Sequence, residues 1–173
     1  GTASSLKIAG SSTTTYAGTI VNDSGKVHSM EIAGSGQLTL TNTTGLTYNG
    51  TTTVSGTGTL KLGTGANLTN TSAVIVGGGT LTSTGGNINL GVGAASMSAG
   101  HITPAGAGAA GTFTLAANQA FSTTGGTLDF DVGTAFDQII GSGTGTFSIG
   151  SGTTLALTLG TGFSYANTYT LFS

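Results

Sequence analysis

Few residues of this 173-residue chain have side chains able to do acid–base or metal chemistry. There are five carboxylates (Asp23, Glu31, Asp129, Asp131 and Asp137), two histidines (His28 and His101) and three lysines, with no arginine and no cysteine. The one acidic cluster is Asp129, Asp131 and Asp137. Residues two apart on a strand share a face, so Asp129 and Asp131 point opposite to Leu128 and Phe130. Two carboxylates so spaced can hold a calcium ion or work as an acid–base pair, which makes them the candidate metal ligands. The plainer reading, which we favour, is that both face solvent while Leu128 and Phe130 fill a core. Asp137, followed by Gln-Ile-Ile-Gly, fits a carboxylate that bonds turn amides.

No catalytic residue and no cofactor follow from these residues. His101 has no acid within 20 positions, and His28 has only Asp23 and Glu31 for local company. There is no G-x-S-x-G leading into a helix and no G-G-x-G-x-D calcium repeat. A polyuronate-cleaving site needs several acids and a cation for the sugar carboxylate, and here arginine is absent and the lysines (Lys7, Lys26, Lys61) are scattered. Enzymatic activity is therefore disfavoured.

Hydroxyls are abundant instead. Thr-x-Thr pairs occur at Thr39/Thr41, Thr51/Thr53, Thr57/Thr59, Thr80/Thr82, Thr112/Thr114 and Thr144/Thr146. On a flat face, a ladder of such pairs can order water or hold a glycan. Their uneven spacing argues that threonine is here the favoured outward residue of a strand, being β-branched and polar. Five Asn-x-Ser/Thr sequons, at Asn22, Asn42, Asn49, Asn67 and Asn70, matter only in a host that glycosylates them.

The elements that must carry these residues are short strands. Gly34-Ser-Gly36 leads into Leu38 and Leu40, and Gly56-Thr-Gly58 leads into Leu60 and Leu62, 22 positions later. Leu81 follows Leu60 by 21 positions. A recurrence of roughly 20 residues, with glycine at the corners, marks a solenoid whose single unit cannot close a core alone. No window carries apolar residues at helical spacing for three turns. Antiparallel hairpins in a barrel are the alternative arrangement, and the near-constant spacing favours stacked rungs. The expected core is Leu38, Leu40, Val54, Leu60, Leu62, Leu81, Leu115, Leu128, Phe130, Phe147, Ile149, Leu155, Leu157 and Leu159.

Residues 34–60 resemble the autotransporter-associated β-strand repeat, with its G-x-G-x-L-x-L…Y-x-G-x-T-x-V…G-x-L pattern. Tyr48, Gly50, Thr52, Val54, Gly58 and Leu60 fall in the matching places, while Thr51 stands where that family usually has a second glycine. Tyr16-Ala-Gly-Thr-Ile20 resembles the preceding strand. Gly126–Asp131, Asp137–Gly141 and Tyr169–Ser173 resemble the closing region of such passenger domains. The resemblance implies a right-handed parallel β-helix, secreted or exposed at a bacterial surface.

Composition bounds the remaining classes. Only 5% of residues are charged, there is one proline, and the net charge is −2. A flexible Gly/Ser/Thr-rich chain usually brings charge and proline, whereas here Leu, Val and Ile recur at intervals of two, which favours order. Without a basic patch there is nothing to displace counterions from a nucleic acid. No apolar run approaches the length of a membrane-spanning helix.

These readings combine into one all-β solenoid domain over residues 1–173, of about 8 rungs and roughly 40 Å at ~4.8 Å per rung. An irregular rung or loop is expected near residues 91–111, where Pro104 cannot donate to a ladder. The expected role is a structural element at the cell surface or outside the cell: a stalk, fibre or matrix subunit. Its expected partner is itself, end to end, with Leu6, Ile8, Tyr169 and Leu171 at the associating edges; the alternative is that the chain continues beyond the residues written here. A glycan- or ice-binding module is the alternative, and a polysaccharide-active enzyme ranks below both.

Overall fold

A computed structural model describes residues 3–173. Strands β1 (Ser4–Ile8), β2 (Thr13–Tyr16), β3 (His28–Ile32), β4 (Gln37–Leu40), β5 (Thr51–Val54) and β6 (Thr59–Leu62) open the fold. Next come β7 (Ala73–Val76), β8 (Thr80–Ser83), β9 (Gly86–Asn89), β10 (Ala95–Met97), β11 (His101–Ile102) and β12 (Gly111–Thr114). The last turns hold β13 (Phe121–Thr123), β14 (Gly126–Val132), β15 (Gln138–Ile140), β16 (Phe147–Ile149) and β17 (Thr153–Leu159). No helix is present among the described residues.

All strand pairs are parallel, which excludes the hairpin barrel. One sheet runs β1-β3-β5-β7-β10-β13-β16 and a second runs β2-β4-β6-β8-β11-β14-β17. A short third sheet, β9-β12-β15, closes the later turns. The fold is thus a β-solenoid of about six turns, slightly fewer than the eight rungs expected. The reason is that the turn widens. In the early part of the first sheet the register steps from Met30 to Thr52 to Val74. In the later part it steps from Ala95 to Phe121 to Phe147, a longer stretch of chain each time. The extra residues first enter between β11 and β12, as the 103–110 loop, since Thr80 to His101 is still a short step and Ile88 to Phe113 is already a long one. The stack of seven strands spans roughly 29 Å at ~4.8 Å per step.

Strand alternation sets the core. Leu38, Leu60, Leu81, Ile102 and Leu128 stand in register through successive turns of the second sheet, all buried. Val54, Leu40, Leu62, Leu115 and Phe130 are buried as expected, and Phe147 is half-buried against the same cluster. Four expected core residues are not buried. Ile149, Leu155, Leu157 and Leu159 are 45–53% exposed. Their phase is right, since Leu155 stacks on Leu128, Leu157 on Phe130 and Leu159 on Val132. They lie in the last turn, where no further rung covers them.

Thr52 breaks the apolar row yet is fully buried. Its hydroxyl bonds the buried Tyr48 hydroxyl at 2.5 Å and the Thr71 hydroxyl at 3.4 Å. That satisfied trio gives physical content to the Tyr48-x-Gly-x-Thr52-x-Val54 spacing: one interior tyrosine requires one interior threonine. No buried side-chain polar atom lacks a partner among the described residues.

The corner between the first two sheets is made of backbone packed on backbone. A Cβ on Gly34 would fall under 3.0 Å from the carbonyl oxygen of Gly10, and one on Gly56 equally close to that of Gly34. Only glycine allows rungs to approach so closely.

Residues 91–111 hold less irregularity than expected. They include β10 and β11, with the loop confined to 103–110. Pro104 is buried there, and its carbonyl accepts the Ser83 hydroxyl at 2.5 Å.

Candidate functional site

The acidic cluster and His101 come together on the second sheet's outer face and its margin. β11 and β14 pair with His101 beside Thr127, which sets Asp129 two positions along on the same face. His101 Nδ1 lies 2.7 Å from Asp129 Oδ2. The pair is open to water, with side chains 53% and 36% exposed, so it contributes less than ~1 kcal/mol. The partner lies 28 positions away, one widened turn plus two, which is why local spacing left His101 without an acid. No hydroxyl bonds the His101 ring among the described residues.

Asp131 points outward as expected and is likewise engaged. Its Oδ2 accepts the Gly108 backbone N–H at 2.6 Å and pins the 103–110 loop. Asp137 is fully buried. It accepts the Gly111 N–H at 2.8 Å and the Asp131 N–H at 3.0 Å, and so joins the third sheet to the end of β14. Burial pushes its pKa up to about 6, against the two backbone hydrogen bonds, which favour the carboxylate. Asp137 thus bonds backbone amides, but those of the strand residues Gly111 and Asp131 rather than of a turn, and it does so fully buried. Among the described residues no group of three or more metal-ligating side chains forms around Asp129 and Asp131.

The other histidine and the remaining charges are distributed singly. His28 Nδ1 bonds the Ser4 hydroxyl, and the His28 N–H donates to Asn22 Oδ1 at 3.0 Å. Neither Asp23 nor Glu31 bonds its ring. Glu31 accepts the Ser55 hydroxyl at 2.6 Å and pairs with Lys7 at 3.3 Å. Those contacts, the serine first, hold its carboxyl below the ordinary range. Lys26 pairs with Asp23 at 3.5 Å.

The threonine pairs do not make one array. Thr51/Thr53, Thr80/Thr82 and Thr112/Thr114 fall on three different sheets. On the second sheet, the row through Thr59 and Thr80 is interrupted by Gln37 on one side and His101 on the other.

The remaining surfaces of note are the two ends. At the first turn an apolar cavity of about 390 Å³ opens among Leu6, Ile8, Tyr16, Ile20, Leu38 and Leu40. Leu6 is 48% exposed and Ile8 half-buried there. At the last turn Ile149, Leu155, Leu157 and Leu159 form the opposite end. Tyr169 and Leu171, expected at an associating edge, are half-buried against their own chain. The Tyr169 ring stacks on Phe163, centroids 5.5 Å apart, and its hydroxyl accepts the Ser164 N–H. Leu171 and Phe172 return onto β15, where Ile139 donates to the Leu171 carbonyl at 2.8 Å. The tail therefore completes the side of the last turn and leaves its top uncovered. Comparison with protein-family models, with curated proteins and with solved structures returned no match.

Proposed function

We propose that the protein is a structural, extracellular β-solenoid, a surface stalk, fibre or matrix subunit that acts by stiffness rather than by turnover. The observation that carries this reading is the use made of the reactive side chains. Asp129 binds His101, Asp131 binds a loop amide, and Asp137 ties two strands together, so the one acidic cluster braces the solenoid. The mechanism is mechanical. Parallel ladders join every turn to the next, and a continuous apolar column fills the interior. The resemblance to autotransporter-associated repeats supports placing the chain at a bacterial surface or outside the cell.

The test is small-angle scattering, to establish an elongated rigid particle, run beside a glycan array, an ice-recrystallisation assay and a polysaccharide-lyase assay. The expected outcome is an elongated particle inert in all three assays. Saturable glycan binding or ice shaping abolished by changing Thr80 and Thr59 would replace this reading with a binding module. Turnover lost in His101→Ala would replace it with an enzyme.

A further inference from the structure

Residues 103–110 leave the stack of turns and return to it through a narrow neck. At the neck Pro104 and Gly111 lie against each other, since a Cβ on Gly111 would fall on the Pro104 carbonyl. A loop whose ends meet in this way is a compact Ω-type excursion, a form that frequently carries function. Its two halves are held differently. Neutral groups of the turn below fasten the first half: the Thr103 N–H donates to the Leu81 carbonyl at 3.0 Å and the Ser83 hydroxyl to the Pro104 carbonyl at 2.5 Å. In the second half the Gly86 N–H reaches the Ala110 carbonyl only at 3.3 Å. The shorter bonds there run to two carboxylates of the turn above, Asp131 on the Gly108 N–H at 2.6 Å and Asp137 on the Gly111 N–H at 2.8 Å.

These carboxylates are linked, because the Asp131 N–H donates to the second oxygen of Asp137 at 3.0 Å. Asp131 is half-buried and Asp137 fully buried. The loop, β12, β15 and residues 133–136 contain no charged side chain. Asp131 is therefore the charge that acts on Asp137, and it is of like sign. His101 and Asp129, further along the outer face, are bonded to each other. The Tyr169 ring packs on Phe136 with centroids 5.6 Å apart, and its hydroxyl is taken up by the Ser164 N–H. An ionised Asp137 is thus a buried negative charge with a like charge beside it, which its two N–H bonds only partly offset. Burial, and to a smaller extent the Asp131 charge, push its pKa up to about 6. Protonation removes both penalties and still leaves the carboxyl able to accept N–H groups.

We infer that residues 105–110 form a flap clasped by Asp131 and Asp137, shut in acid and loosened as the medium turns neutral. Lifting the flap lets water reach Asp137 and lets Asp131 swing away from it, so the closed state binds the proton more tightly than the open one. By linkage, opening then rises with pH until the closed-state carboxyl is fully ionised. With the ordinary 3.8 for the open state and about 6 for the closed one, the open population rises about tenfold between about pH 5 and about pH 7.5. The flap also walls a cavity of about 460 Å³ on the flank of the solenoid, whose other sides are residues 132–135 and 158–161. Lifting it widens that cavity while the parallel ladders of the turns stay closed.

The experiment is amide hydrogen exchange by NMR on the full chain, corrected for the intrinsic rate of each amide at each pH. Protection of Gly108 and Gly111 is expected to fall together, by about tenfold, between about pH 5 and about pH 7.5. Dilute urea is expected to leave exchange at both glycines unmoved, because it speeds exchange that passes through global unfolding and not a loop's own opening. The amides of Leu60 and Leu81 are expected to respond to it. The carbon-13 resonance of the Asp137 carboxyl, followed in the same samples, is expected to titrate with the midpoint of the protection change. Asp137→Asn is expected to abolish the pH dependence at both glycines, and Asp131→Ala to strip Gly108 of protection at every pH. Should Asp137→Asn fail to fold, the coincidence of the two midpoints in the unaltered chain still decides. The proposal is overturned by glycine protection that does not change with pH, that follows a midpoint other than that of Asp137, that keeps its pH dependence in Asp137→Asn, or that is lost only together with the urea-sensitive core.

Discussion

At the scale of the residue, Asp137 is the most informative side chain. It is the only fully buried ionisable carboxylate among the described residues, and its partners are backbone amides rather than a cation. Its pKa of about 6 in the fold exceeds the ordinary 3.8, so the folded protein binds this proton more tightly than the unfolded chain does. Stability from this group is complete below about pH 3.8 and is lost as the pH rises through about 6. Urea unfolding between pH 4.5 and 6.5 is expected to show stability falling by roughly 1–2 kcal/mol, and Asp137→Asn is expected to remove that slope. The variant is also expected to be less stable at pH 5 by about 1–3 kcal/mol, because an amide cannot accept from both N–H groups on the same terms. Glu31 acts in the opposite sense, but below its ordinary 4.5, outside this window. Asp129 and Asp131 are different in kind. Changing both to Asn removes an exposed histidine–carboxylate contact and preserves an acceptor for Gly108, so urea unfolding is expected to shift by less than about 1 kcal/mol. Adding a chelator is expected to leave the melting curve unchanged.

At the scale of the element, strand phase and corner chemistry were legible because each is written in short spacing. Leu38/Leu40 and Leu60/Leu62 alternate with polar neighbours, and all four are buried. Two comparisons test this. Leu60→Asp puts a charge without a partner in the interior column and is expected to cost several kcal/mol, whereas Thr59→Asp, one position earlier and outward, is expected to be tolerated. Gly56→Ala forces a Cβ against the Gly34 carbonyl and is expected to cost more than ~2 kcal/mol, while Gly10→Ala is expected to be neutral. Thermal melts by circular dichroism read both pairs. What was not legible lies beyond one turn. The widening from a Met30-to-Thr52 step to an Ala95-to-Phe121 step cannot be read from a local window, and it alone places Asp129 beside His101. Nor does alternation say where a column stops: Leu155, Leu157 and Leu159 have the right phase and become exposed only because theirs is the last turn.

At the scale of the whole molecule, the account is of a column in which each turn is held by its neighbours. In such a stack, stability is a sum of terms within turns and between adjacent turns. The exposed ends are its weakest points, and the interior turns around Leu60 and Leu81 its strongest. Load along the axis is carried by the parallel ladders and resisted turn by turn. The measurement that tests this most directly is single-molecule pulling on the chain through handles at its two ends. One turn, drawn out at ~3.5 Å per residue, releases about 80–90 Å of contour length. The account predicts a series of force peaks with that spacing, as the solenoid peels from its ends. Extension without peaks, or release of the whole chain in one event of roughly 600 Å, would contradict it.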